Sequence, residues 1–285
     1  MSFFGARYSI VQAPMANVQP PSLAAVASNA GALGTIPAAG LSADQARDAI
    51  GEVRSLTDAP FGVNVFAPPY LRYDVVDVVL EERPAVFSFT FGVIDPEPFR
   101  DAGIAVHGTA TTSEEAAALE AAGVDAVVAQ GAEAGGHRGT FLGSFEDGLV
   151  PLDELLASIR VSVPVIAAGG IVGPDDVRRV RSLGATGVQV GTAFLFTHEA
   201  GTAREHLDAL RTYETVVTPA YTGRHMRAAR TPVLEELMQG EPLAYPEQRA
   251  VSARRGPLFM GGTNARAARE QSVAELVDEL ARGFA

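Results

Sequence analysis

Five histidines are the only side chains in this 285-residue chain whose ordinary pKa lies near neutrality, and cysteine is absent altogether. One of them stands in an unusual setting, Gln130-Gly131-Ala132-Glu133-Ala134-Gly135-Gly136-His137-Arg138-Gly139, directly after the apolar run Ala126–Ala129. Gly135 and Gly136 remove two side chains beside His137, so a flat ligand could lie close to the backbone while the imidazole reaches over it. An imidazole so placed can give or take a proton. Taken alone, the stretch reads first as a turn in which Glu133 pairs with Arg138 and His137 is solvated. His107, before Gly108-Thr109, either lines the same mouth or is an ordinary strand-end histidine. His206 lies on a polar helical run and reads as solvated. His225, in Gly223-Arg224-His225-Met226-Arg227, belongs either to an anion-binding lid or to a surface loop. His198-Glu199 starts like a zinc-binding helix, but Thr202 stands where the second ligand would be.

Two more glycine-rich stretches end apolar runs: Ala167-Ala168-Gly169-Gly170-Ile171 and Gln189-Val190-Gly191-Thr192. Glycines there leave backbone N–H groups free to converge on phosphate oxygens. That matters in a chain of net charge −12 whose 22 basic side chains are all arginine. Lacking lysine, it can form neither a Schiff base nor a P-loop; lacking cysteine, it has no thiolate, disulfide or Cys-ligated metal. The acidic balance argues against nucleic-acid or anionic-membrane binding. No apolar stretch approaches the length of a membrane helix and no signal pattern opens the chain, so the expectation is a cytoplasmic protein.

These residues must be positioned by a repeating framework. Eight short β-branched runs alternate with helical ones: Tyr8–Ala13, Ala32–Ile36, Phe61–Phe66, Ala85–Phe91, Ile104–Thr109, Ala126–Gln130, Val163–Ala167 and Gly187–Val190. Helices are expected between them, for example over Ser42–Leu56, Tyr73–Arg83, Ser113–Ala122, Leu152–Ile159 and Pro174–Leu183. Eight βα units in about 190 residues predict a (β/α)8 TIM barrel, with an open doubly wound sheet as the alternative. No two glycines are spaced i, i+2, which excludes the dinucleotide-binding turn. The proline-punctuated stretch 197–262 reads as a lid or substrate subdomain inserted into a barrel formed by 1–196 and 263–285. A final helix is expected from Asn264 to about Arg282.

Taken together, "QAPM" at 12–15, "LAAVASNAGALGTI" at 23–36, "GVNVF" at 62–66, "VDAVVAQGAEAGGHRG" at 124–139, "PVIAAGGI" at 164–171 and "GVQVGTAFL" at 187–195 resemble the nitronate monooxygenase family. The resemblance runs over nearly the whole chain in order. FMN-dependent enoyl-[acyl-carrier-protein] reductases and some NAD(P)H:quinone reductases share most of these motifs, so a reductase of enoyl thioesters or quinones is the alternative.

The resemblance implies an FMN-bound barrel that oxidises small alkyl nitronates, such as propionate 3-nitronate, with O2 to a carbonyl compound and nitrite. It places Pro14 and Met15 under the flavin ring, Asn64 and Gln130 on flavin or ribityl groups, and Gly135 close to the cofactor. Gly169, Gly170, Gln189, Val190, Gly191 and Thr192 fall at the phosphate end, and His137 faces the substrate as its proton-transfer group. Some relatives neutralise the anionic substrate with a lysine and tyrosines; here Tyr245 with Arg254 or Arg255 is the expected substitute. A homodimer remains open.

Overall fold

The computed structural model describes residues 3–16 and 18–285. Eight parallel strands form the barrel: β1 (Ile10–Gln12), β2 (Gly34–Pro37), β3 (Phe61–Phe66), β4 (Val86–Thr90), β5 (Ala105–Ala110), β6 (Ala126–Gln130), β8 (Val165–Ala168) and β9 (Gly187–Val190). They are ordered β1-β9-β8-β6-β5-β4-β3-β2. A parallel bridge between Val11 and Leu33 joins β1 to β2 and closes the ring. This is a (β/α)8 barrel.

The period of two along each strand separates structure from chemistry. Outward residues, among them Val63, Val65, Phe87, Phe89, Val106, Val127, Ala129 and Val188, are buried in the main core shared with the surrounding helices. A smaller cluster formed by Val11, Leu33, Val86, Ala126, Val128 and Ile166, with Phe3 and Phe4 packed on it, occupies the other side of the strands. Local signals start the helices where expected. Ser42 and Gln45 form a reciprocal capping box for Ala43–Leu56, and Thr112 caps Ser113–Ala122.

Two boundaries differ from the sequence reading. The last helix runs from Val273 to Ala281, because Ser272 and Glu275 close a capping box there, and a single 3-10 turn, Ala265–Ala267, precedes it. The segment 197–262 is also more than short helices. It carries β10 (Thr215–Thr218) and β11 (Met226–Ala229), and β11 pairs antiparallel with the two-residue strand β7 (Gly136–His137). Among the described residues, no helix is long and apolar enough to cross a membrane.

Candidate active site

A cleft of about 680 Å³ opens at the C-terminal ends of the strands. Its floor is polar because five of the strands carry polar side chains at or near these ends: Asn64, Thr90, Thr109, Gln130 and Gln189. Thr90 and Thr109, whose hydroxyls lie 3.4 Å apart, were not singled out from sequence; a threonine ending a β-rich run carries no distinguishing signal. All eleven expected cofactor residues line this cleft, as do His137 and Tyr245.

The loop after β1 is held by a side-chain relay. Gln12, fully buried, accepts from Thr35 N (3.1 Å) and donates to Gln19 Oε1, which also accepts from Met15 N (both 2.9 Å). Pro14 and Met15 are thereby fixed along one wall. On the floor, Asn64 donates to Ser88 Oγ at 3.0 Å. Gln130 is committed locally at both ends, donating to His137 O (3.0 Å) and accepting from Gly139 N (2.8 Å). Each amide group keeps one further donor or acceptor for a ligand.

Beside the loop after β1, on the neighbouring strands, lie the loops after β8 and β9. Gly169 and Gly170 take φ of +124° and +66°, values that side chains with a Cβ rarely adopt. Among the described residues, the N–H groups of Gly170, Gly191 and Thr192 have no hydrogen-bond acceptor. Converging free N–H groups suit phosphate oxygens and need no lysine. Gly135 permits a close approach of another kind: a Cβ there would lie 2.6 Å from Gly261 C and 2.7 Å from Gly262 N, so glycine lets the 261–262 strap close the wall.

His137 is aligned by β11, through its pairing with Met226, and by Arg138, whose N donates to His225 O. Arg138 is 1% exposed and donates to the carbonyls of Gly131 (2.7 Å), Gln130 (2.9 Å) and Gly148 (3.1 Å). The alternative of a Glu133–Arg138 pair with a solvated histidine therefore fails; Glu133 instead accepts from Leu152 N. Burial pushes Arg138 down to about 10.

The His137 Nε2 lies 3.1 Å from Thr222 Oγ1. That hydroxyl spends its single proton on Arg224 O at 2.7 Å, so it can only accept from the imidazole. Nε2 therefore carries the hydrogen, and Nδ1 has no partner among the described residues. Burial first, and then the charges of Arg224 and Arg249, lower the His137 pKa to about 3. The ring is neutral at neutral pH, with a basic nitrogen free. Phe66, Phe91 and Tyr245 surround it at centroid distances of 6.3, 6.0 and 5.6 Å.

The other histidines lie elsewhere. His107 does not reach the mouth. Two residues below Thr109 on β5, it sits about 7 Å deeper, edge-on to Phe4 and 2% exposed, with Nε2 unpartnered among the described residues. Burial lowers its pKa to about 3. His206 is not solvated; it is 5% exposed and its Nε2 lies 2.8 Å from Met260 O. His225 stacks on Phe145 at 3.3 Å. Arg254 and Arg255 are exposed, and Arg255 pairs with Glu236. The arginines that line the cleft are Arg72, paired with Asp74, and Arg249, which is in no ion pair among the described residues.

A parallel barrel with free backbone N–H groups at β8–β9 and a neutral histidine in the same cleft defines a class of barrel enzyme. The family model for nitronate monooxygenase matches residues 1–75 and 70–283, and the chain belongs to that family of oxidoreductases. It is 41% identical over 270 residues to a nitronate monooxygenase of Pseudomonas aeruginosa, covering 78% of this chain and 77% of that one. It is 36% identical to one from Paraburkholderia phytofirmans, covering 96% and 91%. Among solved structures, a nitroalkane oxidase from Streptomyces ansochromogenes superposes with a TM-score of 0.90 at 37% identity, over 99% of this chain and 98% of that one. FabK from Thermotoga maritima gives 0.84 at 30% identity, covering 99% and 94%.

Proposed function

We propose that the protein is an FMN-dependent monooxygenase that oxidises small alkyl nitronates, such as propionate 3-nitronate, with O2 to a carbonyl compound and nitrite. The observation that carries this reading is the pairing, in one cleft, of the free N–H groups at Gly170, Gly191 and Thr192 with a neutral His137 whose Nδ1 is unengaged. The residues present fit FMN: a lysine-free phosphate cradle, a polar strand-end floor, and walls formed by Pro14–Met15 and by Gly135 with the 261–262 strap. Bound there, FMN supplies the electron transfer and reaction with O2 that no side chain can perform.

The protein's residues do the rest. His137 presents its unprotonated Nδ1 to the substrate as the group through which a proton passes, and the Nε2–H bond to Thr222 keeps the ring in that orientation. Arg249 supplies the counter-charge for the anion, the role expected of Arg254 or Arg255. The aromatic ring of Phe66, Phe91 and Tyr245 excludes water and strengthens these charges. Residues 197–262, which deliver Tyr245, Arg249 and the partner strand of His137, act as the lid and substrate subdomain.

Purified protein should be yellow and should release nitrite from propionate 3-nitronate under air without NAD(P)H. His137→Asn should lower turnover by about 10²–10⁴. The similarity to FabK supports a reductase as the second reading, and rapid anaerobic bleaching of the flavin by NADH or NADPH with no nitronate turnover would favour it.

A further inference from the structure

Three consecutive residues, Gly262, Thr263 and Asn264, tie the strap to the loops after three different strands. Gly262 N donates to Thr192 Oγ1 (2.9 Å) after β9, Thr263 N to Glu133 O (3.1 Å) after β6, and Asn264 Nδ2 to Gly170 O (2.7 Å) after β8. The fit is close: a Cβ on Gly262 would lie 2.8 Å from Glu133 O, so glycine is what lets the strap lie flat on these loops. Asn264 lines the cleft, and its bond to Gly170 is the shortest of the three.

The group that Asn264 holds belongs to the cradle. Gly170 N–H is one of the free donors there, and Gly170 sits at φ +66° after Gly169 at +124°. Glycine occupies positive and negative φ with similar ease, so the Gly169-Gly170 pair does not by itself keep the N–H side of its shared peptide toward the cleft. Turned over, that peptide would offer an anion a carbonyl oxygen instead of a donor. In the neighbouring loop the carbonyl of Gly191 accepts from Phe194 N and Leu195 N, so the turn that follows already fixes it. Gly170 O accepts from no backbone N–H among the described residues, and Asn264 is its anchor. The same strap orients Thr192: its hydroxyl accepts from Gly262 N and donates to no protein group among the described residues, which leaves its proton for a ligand.

We propose that Asn264 is a positioning residue for the cofactor phosphate: by anchoring Gly170 O from the strap, it holds the Gly169–Gly170 backbone with its N–H toward the phosphate oxygens. Asn264 acts through Gly170. The inference rests on the FMN reading above.

The test compares FMN with riboflavin, which has the same ring and ribityl chain and lacks the phosphate. Both are titrated into the flavin-free full-length chain, and binding is read from flavin fluorescence, for the wild type, Asn264→Ala and Asn264→Asp. In Asn264→Ala, FMN should bind about five- to tenfold more weakly, as expected for loss of one hydrogen bond, with riboflavin within about twofold of the wild type. Asn264→Asp keeps the shape of the side chain, loses the donor and sets a negative charge beside the cradle. It should weaken FMN by about tenfold or more at low salt, with the extra loss reduced by added salt and riboflavin again little changed. Unchanged FMN affinity in Asn264→Ala overturns the proposal, as does equal weakening of FMN and riboflavin, which would make Asn264 a packing residue of the strap. If Asn264→Ala fails to fold, the near-isosteric Asn264→Asp alone decides. A wild type that binds riboflavin as tightly as FMN removes the phosphate cradle and this proposal with it, whereas FMN binding without nitronate turnover sinks only the nitronate reading.

Discussion

The neutral state of His137 has a cost that appears in the acid stability of the fold. Its pKa falls from 6.5 to about 3 because the ring is buried and because Arg224 and Arg249 disfavour a further positive charge. Well above the unfolded pKa, both states carry a neutral ring and His137 contributes nothing to pH dependence. As pH drops through that value, the unfolded chain binds the proton first, so stability is lost; the loss saturates once pH passes below the folded pKa. Between about pH 7 and pH 5 this one residue removes about 2 kcal/mol. Urea unfolding of the wild type and of His137→Asn at these two pH values isolates the effect. The wild type should lose about 2 kcal/mol more than the variant. The imidazole NMR signals of His137 should also stay those of the neutral ring throughout this interval. A ring that titrates near its ordinary value, or equal acid sensitivity in the two proteins, would show that burial and the two arginines do not outweigh solvation of the cation.

Three other outcomes follow from the packing. His107→Leu should leave stability at neutral pH unchanged or higher by about 1–3 kcal/mol, because it removes a buried, unpartnered Nε2, and should flatten the acid dependence in urea unfolding. Arg138→Met strands three carbonyls, those of Gln130, Gly131 and Gly148, and should cost about 3–5 kcal/mol in the same assay. Gly170→Ala forces a Cβ onto a residue at φ +66° in the cradle; it should cost about 1 kcal/mol and weaken flavin retention, read as the fluorescence of released cofactor.

Much of the frame was legible in the sequence. Its eight β-rich runs coincide with the eight barrel strands to within a few residues, since β-branched patterning and capping signals are local. The glycines at the strand ends were legible for the same reason, whereas Gln130 was singled out only through the family resemblance. The histidines were harder to read. His206 lies on a helix with polar neighbours, but it turns toward Met260 in a tertiary contact that helical spacing does not report. His107 follows a period-two pattern that also fits Thr109, and only the closed barrel makes one residue deep and the other part of the cleft floor. The expected counter-charge failed similarly: Arg254 and Arg255 resemble Arg249 in sequence, and the path of the segment decides which one faces the cleft.

The sequence by itself determined the chemistry available to this protein: no thiolate, no amine nucleophile, glycine-exposed N–H groups at three strand ends, and a histidine beside two of those glycines. Tertiary structure decided the state and aim of that histidine. The pairing of Gly136–His137 with Met226–Arg227, nearly ninety residues away in sequence, sets the ring against Thr222 and within reach of two arginine charges. Protonation depends on burial and on charges brought together through space, and neither is written in the spacing of neighbouring residues.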